Sequence, residues 1–306
     1  MNNKNLLVPV LLLFLTFSSL PALAAGELVR GVRMKISAGD LASAEAMVED
    51  HARDVGKDAE YLNGLSWLAR GAQLLGQDDR ALELAQQVRQ QILFANDDNL
   101  LALGAAVEVE AKVLAKRKGK VAALEFLADQ RQRSTDPAYQ SRLWKNVNYL
   151  NLEGQKAPEI VAETNLGPEW QGLDALKGKP VVLFLWAHWC SDCKAQAVTL
   201  AKVRKEFADQ GVVFVAPTRF YGRGKDDAAA TPEEEKKQIA AVLAENYQDL
   251  GPISVPISTE AMLRYGASAT PSFVFIDRAG VVSSYTATRL TEKELTSRIE
   301  KLLPKH

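Results

Sequence analysis

Sulfur and imidazole are scarce in this chain of 306 residues: two cysteines, three histidines and four methionines. Both cysteines, Cys190 and Cys193, lie in one stretch, two residues apart. A bridge closing so short a loop removes little entropy from the unfolded chain, which makes it a poor structural staple. No Pro-x-x-x-Thr/Ser-x-x-Cys pattern precedes either thiol, which argues against a thiol peroxidase. No nicotinamide or flavin fingerprint is present, so no cofactor is expected. Charge of one sign is also lacking. The formal net charge is −1, and nothing suggests a nucleic-acid partner. Gly222-Arg223-Gly224-Lys225 lacks the Ser or Thr and the spacing of a phosphate loop, and reads as a surface loop.

What is present begins with an export signal. Lys4 supplies a positive start, and Leu6 to Leu20 form an apolar core interrupted by Pro9. That core is too short and too early for a membrane span. Small residues at Ala22 and Ala24 place cleavage after Ala24, giving a leader over 1–24 and a periplasmic protein; the alternative is an uncleaved anchor. No cysteine lies near that point, which excludes a lipid-anchored thiol. An oxidising compartment lets a disulfide persist.

The mature chain is long enough for two domains. Residues 25–150 are rich in Ala, Leu, Glu, Gln and Arg, with Pro137 as the sole proline, a helix-favouring composition. Gly39, Gly76 and Gly119 each end one helix before small residues open the next, at intervals of about forty residues, the range of helix-pair repeats. In the middle unit Leu62, Leu65, Leu68 and Leu75 follow helical spacing with Trp67. Asp78 is placed to cap a second helix carrying Leu82, Leu84, Val88, Ile92 and Leu93. The pattern resembles a degenerate tetratricopeptide array of about three hairpins, with Trp144 and Tyr149 on a closing helix. Such an array makes either a concave protein-binding surface or a cap used in self-association. The basic cluster Lys116-Arg117-Lys118-Gly119-Lys120 reads as a solvated helix end.

Residues 151–157 read as a polar linker, and 158–306 as alternating strands and helices. The all-apolar run Val181 to Trp186 suits a buried strand. A helix starts after Thr231, with Pro232 in its first turn and Glu234 completing a capping box. Asp277-Arg278-Ala279-Gly280 is a hairpin turn, and a last helix begins at Glu292.

The strand to Trp186 and the helix from Lys194 flank Trp189-Cys190-Ser191-Asp192-Cys193. Cys190 therefore sits at a helix mouth, where free N–H groups and the helix dipole favour its thiolate, and Cys193 lies about one turn inside. A thiolate attacks a disulfide, and a second thiol one turn away resolves the mixed disulfide.

Phe184-Leu185-Trp186-Ala187-His188-Trp189-Cys190-Ser191-Asp192-Cys193-Lys194, with Thr270-Pro271 and the helix inserted from Pro232, resembles the exported TlpA/ResA-like thiol–disulfide oxidoreductases over about residues 157–304. The resemblance implies a thioredoxin fold, a central mixed β-sheet flanked by helices, after the N-terminal helical-hairpin array. It implies catalytic roles for Cys190 and Cys193, a cis proline at Pro271 facing them, and a backbone edge at Thr270 that pairs with a substrate chain. Trp189 would shield the sulfurs. Substrates would be protein disulfides, and electrons would come from a membrane thiol–disulfide reductase.

Three departures from that family stand out. Phe184 occupies the place of a buried acid, and Gln196 the place of a glutamate. Proton transfer from Cys193 is then left to water, to His188 or to the attacked sulfur. His188 is either an imidazolium that lowers the thiol pKa or a solvated rim residue. Asp192 opposes the Cys190 thiolate, which points to a less acidic thiol and a reducing couple. Two other functions stay open: a soft-metal site for Cu(I) or zinc built on His188, Cys190 and Cys193, and a non-catalytic adaptor using the helical array.

Overall fold

The computed structural model describes residues 26–93 and 95–304, so the leader expected over residues 1–24 lies outside the described residues. Seven helices come first among the described residues: α1 (Glu27–Ser37), α2 (Leu41–Asp54), α3 (Ala59–Leu74), α4 (Asp78–Gln91), α5 (Leu100–Lys118), α6 (Lys120–Gln132) and α7 (Pro137–Asn151). No described helix is long and apolar enough to cross a membrane.

The expected helix breaks at Gly39, Gly76 and Gly119 all carry positive φ, the conformation that glycine adopts without a Cβ penalty. Asp40, Asp58 and Asp136 cap α2, α3 and α7 by accepting the N–H of the third residue of each helix. Asp78 does not cap α4. Gln77 holds the cap position without a side-chain bond, and Asp78, one residue inside, pairs with Lys116 at 2.5 Å. That ion pair and Arg117–Asp79 at 2.7 Å tie the basic end of α5 to the start of α4. Leu65, Leu68, Leu84, Val88 and Ile92 are buried, whereas Leu75 and Leu93 are exposed because each falls just past its helix end. The spine is α5, whose Ala102, Gly104, Ala105, Ala106 and Ala111 let α3, α4, α6 and α7 approach it closely.

The second half contains β1 (Thr164–Leu166), β2 (Val181–Leu185), α8 (Ser191–Glu206), β3 (Val213–Val215), α9 (Pro232–Asn246), β4 (Val255–Ile257), α10 (Thr259–Arg264), β5 (Ser272–Ile276), β6 (Val282–Thr286) and α11 (Glu292–Glu300). The central sheet has the order β3-β2-β5-β6, with β2 and β3 parallel and the other pairs antiparallel. A small antiparallel pair, β1 and β4, is bridged to the outer side of β3. Residues of β2 alternate between two apolar layers. Val182 and Phe184 face the layer that holds α8 and α11, and Val181, Leu183 and Leu185 face the layer of α10. This is the expected mixed sheet flanked by helices, a thioredoxin fold.

The stretch read as a linker is paired. Gly154 N–H donates to Val282 O (2.8 Å), Val282 N–H to Gln155 O (2.9 Å) and Ala157 N–H to Gly280 O (2.9 Å). An open edge at β6 presents unpaired backbone groups, and the incoming chain satisfies them. Helix α7 also docks on the sheet domain directly. Asn148 Nδ2 donates to Arg264 O (2.8 Å), Ala287 N–H donates to the Tyr149 hydroxyl (2.9 Å), and the Tyr149 and Tyr285 rings meet edge-on at 5.2 Å.

Gly266 sets the closeness of that docking. Its φ is +62°, and a Cβ there would lie 2.2 Å from Lys145 N and 2.3 Å from its Cα, both backbone atoms that cannot swing away. Gly266→Ala is expected to destabilise the protein by at least about 2 kcal/mol, through backbone strain together with loss of α7 contacts. Thermal unfolding of the variant should show a lowered or split transition, and limited proteolysis should cut near residues 151–157.

Inside the helical array Glu108 is buried and accepts from Lys145 Nζ (2.6 Å), Lys112 Nζ (2.8 Å) and Arg70 Nη2 (3.1 Å). Burial alone would raise its carboxyl pKa, but Lys145, Arg70 and Lys112 outweigh burial and hold it well below the carboxylate range. A depressed folded-state value stabilises the fold above the unfolded pKa of about 4.3, and that contribution fades as pH falls toward the folded value. Glu108→Gln should cost about 3–5 kcal/mol at neutral pH, because Lys145 loses its buried partner. Its stability should also fall less steeply than the wild type's below about pH 4, as read by urea unfolding across pH.

Candidate active site

The apolar run of β2 ends where the sheet core ends. Trp186 is fully buried and anchors the exit of the strand: its indole N–H donates to Ala216 O (3.0 Å), and its carbonyl accepts from the Thr218 hydroxyl (2.8 Å). Ala187, His188 and Trp189 turn the chain, and Cys190 N–H closes the turn on Ala187 O (3.1 Å). Helix α8 then begins with Cys190 as its N-cap. The cap acceptor is the sulfur itself, since Cys193 N–H points at Cys190 Sγ at 3.1 Å. A helix start leaves N–H groups without partners, and this one is aimed at the sulfur that would carry negative charge in the reduced protein.

Cys190 and Cys193 are joined in a disulfide with Cα atoms 5.2 Å apart. Their exposures differ: Cys190 is 6 % exposed and Cys193 0 %, so of the two only Cys190 reaches the surface. Opposite it, the carbonyl of Thr270 lies 3.4 Å from Cys190 Sγ, and the Thr270–Pro271 peptide is cis. The structure thus brings Cys190, Cys193, Thr270 and Pro271 together from two elements separated by about eighty residues in sequence.

His188 is not a rim residue. It is buried beneath the segment of residues 217–230, and burial pushes its pKa down by more than the nearby carboxylate of Glu235 raises it. Its Nε2 lies 3.0 Å from Arg223 O, and because a carbonyl only accepts, Nε2 carries the proton. Nδ1 faces Glu235 Oε1 at 3.6 Å, beyond hydrogen-bonding reach, and has no partner among the described residues.

Glu235, in the first turn of α9, is the residue that sequence reasoning missed. It is 0 % exposed, and its two oxygens accept the backbone N–H groups of Tyr221 and Gly222, each at 2.8 Å. In the run Glu233-Glu234-Glu235 it looks like one more acidic residue at a solvated helix start, and only the fold of the preceding segment distinguishes it. The capping box of Thr231 and Glu234 forms as expected, with Pro232 in the first turn. The same segment carries Tyr221, whose ring meets Trp189 edge-on at 5.4 Å, and Arg223, whose guanidinium lies 4.8 Å from the Trp189 ring centre. Trp189 itself is 42 % exposed.

The remaining expected residues have separate places. Asp192 is exposed at the start of α8, with Arg289 Nη1 3.6 Å from its carboxylate, a counter-charge that lies 97 residues further along the chain. Gln196 is buried and clamps Leu290 in both directions: its Nε2 donates to Leu290 O and its Oε1 accepts from Leu290 N–H, both at 2.9 Å. It ties α8 to the segment before α11. Phe184 packs on Phe273 at 5.3 Å between ring centres. A soft-metal site finds no further ligand, for no group of three His, Cys, Asp or Glu side chains that could hold an ion occurs among the described residues.

A strand-end disulfide at a helix start is the geometry of reversible thiol–disulfide exchange. Residues 152–303 match the Redoxin family model. The thioredoxin-like protein YneN of Bacillus subtilis (strain 168) is 28% identical over 148 residues, covering 48% of this chain and 79% of YneN. The thiol-disulfide oxidoreductase ResA of the same organism is 42% identical over 64 residues, covering 21% of this chain and 35% of ResA. Among solved structures, the thioredoxin-like superfamily protein SPOA0173 is similar with a TM-score of 0.41 and 25% identity, over 49% of this chain and 97% of that one. Through residues 152–303 the chain is similar to the redoxin family, and it is a thioredoxin-like thiol–disulfide oxidoreductase.

Proposed function

We propose that the protein works in the periplasm, after removal of residues 1–24, as a reductase or exchange enzyme for the disulfides of exported proteins. Cys190 is the nucleophile and Cys193 the resolving thiol. The observation that carries this assignment is the asymmetry of the pair: Cys190 reaches the surface and its Sγ accepts the Cys193 N–H, whereas Cys193 is sealed.

In the reduced protein the Cys190 thiolate attacks one sulfur of a substrate disulfide. A mixed disulfide forms, and the other substrate sulfur leaves as a thiolate. Cys193, deprotonated, then attacks Cys190 Sγ. The enzyme disulfide closes and the second substrate thiolate is released. Two electrons pass to the substrate, and its two thiolates take up the protons that the enzyme thiols have lost. The Thr270 carbonyl opposite Cys190 and the exposed ring of Trp189 form the edge on which a substrate backbone lies. A membrane thiol–disulfide reductase restores the dithiol. Neutral His188 gives the thiolate no positive neighbour, and Asp192 opposes it, so the couple is a reducing one.

Two outcomes test the assignment. Cys193→Ala should accumulate covalent, reductant-sensitive adducts with exported proteins, and Cys190→Ser should accumulate none. Non-reducing gels and mass spectrometry of envelope extracts read this directly, and adducts that persist in Cys190→Ser would reverse the two roles. Glu235→Gln keeps one acceptor oxygen but turns an amide NH2 toward a backbone N–H. It should cost about 1–3 kcal/mol of stability. Exchange with a folded protein disulfide should slow more than exchange with a small aromatic disulfide, because the Tyr221–Arg223 segment beside Trp189 loses its anchor. Equal rates for both substrates would show that this segment takes no part in substrate contact.

A further inference from the structure

The helical array holds a cluster of charge for which thiol chemistry has no use. Glu108 on α5 is met by Arg70 from α3, Lys112 from α5 and Lys145 from α7. A fourth cation, Arg142 on α7, stands beside them. Its aliphatic stem lies on α5 at Gly104, where a Cβ would come within 2.6 Å of the Arg142 Cδ. Four cations thus surround one carboxylate.

Their hydrogen bonding is as unbalanced as their charge. Arg142 Nε is buried without a hydrogen-bond partner among the described residues. Arg70 Nε and Asn146 Nδ2 are likewise buried donors without acceptors. Buried donors are ordinarily satisfied, and a guanidinium out of water without a counter-charge is costly. What the cluster lacks is oxygen acceptors with negative charge. The site is also reachable, since the side chains of Lys112 and Arg70 remain 44% and 25% exposed.

The cations continue across the array. Arg33 on α1 and Arg70 on α3 both lie on the Trp67 ring, 4.7 Å and 5.1 Å from its centre. Lys112 lies 5.8 Å from the ring of Tyr149, the residue that also bonds Ala287 in the sheet domain. The row Arg33, Arg70, Lys112, Arg142 therefore takes one cation from each of α1, α3, α5 and α7. Arg33 and Arg70 share the Trp67 ring, and Arg70 and Lys112 share Glu108, so the cations reach further than one small anion and suit several residues of extended chain at about 3.3 Å each.

We propose that this row binds an acidic polypeptide segment, with one of its carboxylates seated between Arg142, Arg70 and Lys112. The segment belongs to a protein that reaches the Cys190–Cys193 pair, an assignment that rests on the function proposed above. Carboxylate and guanidinium pair through two parallel N–H···O bonds, and the unpartnered nitrogens of Arg142 and Arg70 are suited to supply them.

The test uses the full mature chain and two fluorescent ten-residue peptides, one containing four Asp or Glu residues and the other the matching Asn and Gln. Binding is followed by anisotropy. The acidic peptide should bind, weaken as salt rises, and lose about tenfold in affinity in Arg142→Gln and again in Lys112→Gln, while the neutral peptide should not bind. Lys112 is exposed enough that its replacement leaves the fold intact if Arg142→Gln does not. Inorganic phosphate serves as a competitor: binding of phosphate without the peptide would overturn the polypeptide assignment, and equal peptide affinity in wild type and both variants would overturn the site. Reduction of a small aromatic disulfide should be unchanged in both variants, so a failure here is distinguishable from a failure of the redox reading.

Discussion

One buried carboxylate, Glu235, organises the surroundings of the disulfide. It has no contact with solvent, and both oxygens are taken by backbone N–H groups of Tyr221 and Gly222. A carboxylate held this way fixes two consecutive peptide planes, and Gly222, at φ +69°, allows the turn between them. The rest follows from that turn. Tyr221 meets Trp189, Arg223 lies over the same ring, and the Arg223 carbonyl takes the His188 proton. A segment that composition marks as an irregular surface loop becomes one wall of the site, because an acid from the next helix satisfies its backbone.

The cysteine pair itself was legible without the fold. An apolar run, Val181 to Trp186, ends at a pair of thiols that a helix-like run follows, and the structure places Cys190 at the cap and Cys193 inside the first turn. Thr231, Pro232 and Glu234 were legible for the same reason, because caps are local chemistry with fixed offsets. His188 was not. Its burial depends on residues 35 positions further on, and no local pattern reports whether a loop covers an imidazole. Asp192 has the same character: its counter-charge, Arg289, belongs to the far end of the domain. Asp78 shows the limit of local rules even for caps. A carboxylate one residue further into the helix found Lys116 of α5, and the cap position fell to Gln77.

Residues 151–157 show how composition misleads about connection. Residues 153–156 are exposed, as their polarity suggests, but backbone pairing is indifferent to side-chain polarity, and an open sheet edge lay within reach. The consequence is mechanical. Helix α7 and the strand-like run after it grip β6 and the end of α10 together, through Asn148, Tyr149 and the close approach at Gly266. Gly266 precedes the cis Thr270–Pro271 peptide by four residues. The helical array is thereby fastened to the segment that carries the Thr270 carbonyl, rather than to the far side of the sheet.

The charges near Cys190 argue for the direction of the chemistry. Support for a thiolate comes from the helix start and from the Cys193 N–H at 3.1 Å. A positive imidazole would add to it, but burial pushes the His188 pKa down. Asp192 subtracts from it, and Arg289, at 3.6 Å and in an exposed position, offsets that subtraction only in part because solvent screens the pair. A thiolate stabilised mainly by backbone donors leaves the dithiol less favoured than it would be beside a cation. A less favoured dithiol gives up its electrons more readily. The same scarcity of histidine and sulfur that narrows the functions open to this chain therefore bears on which way its one disulfide runs.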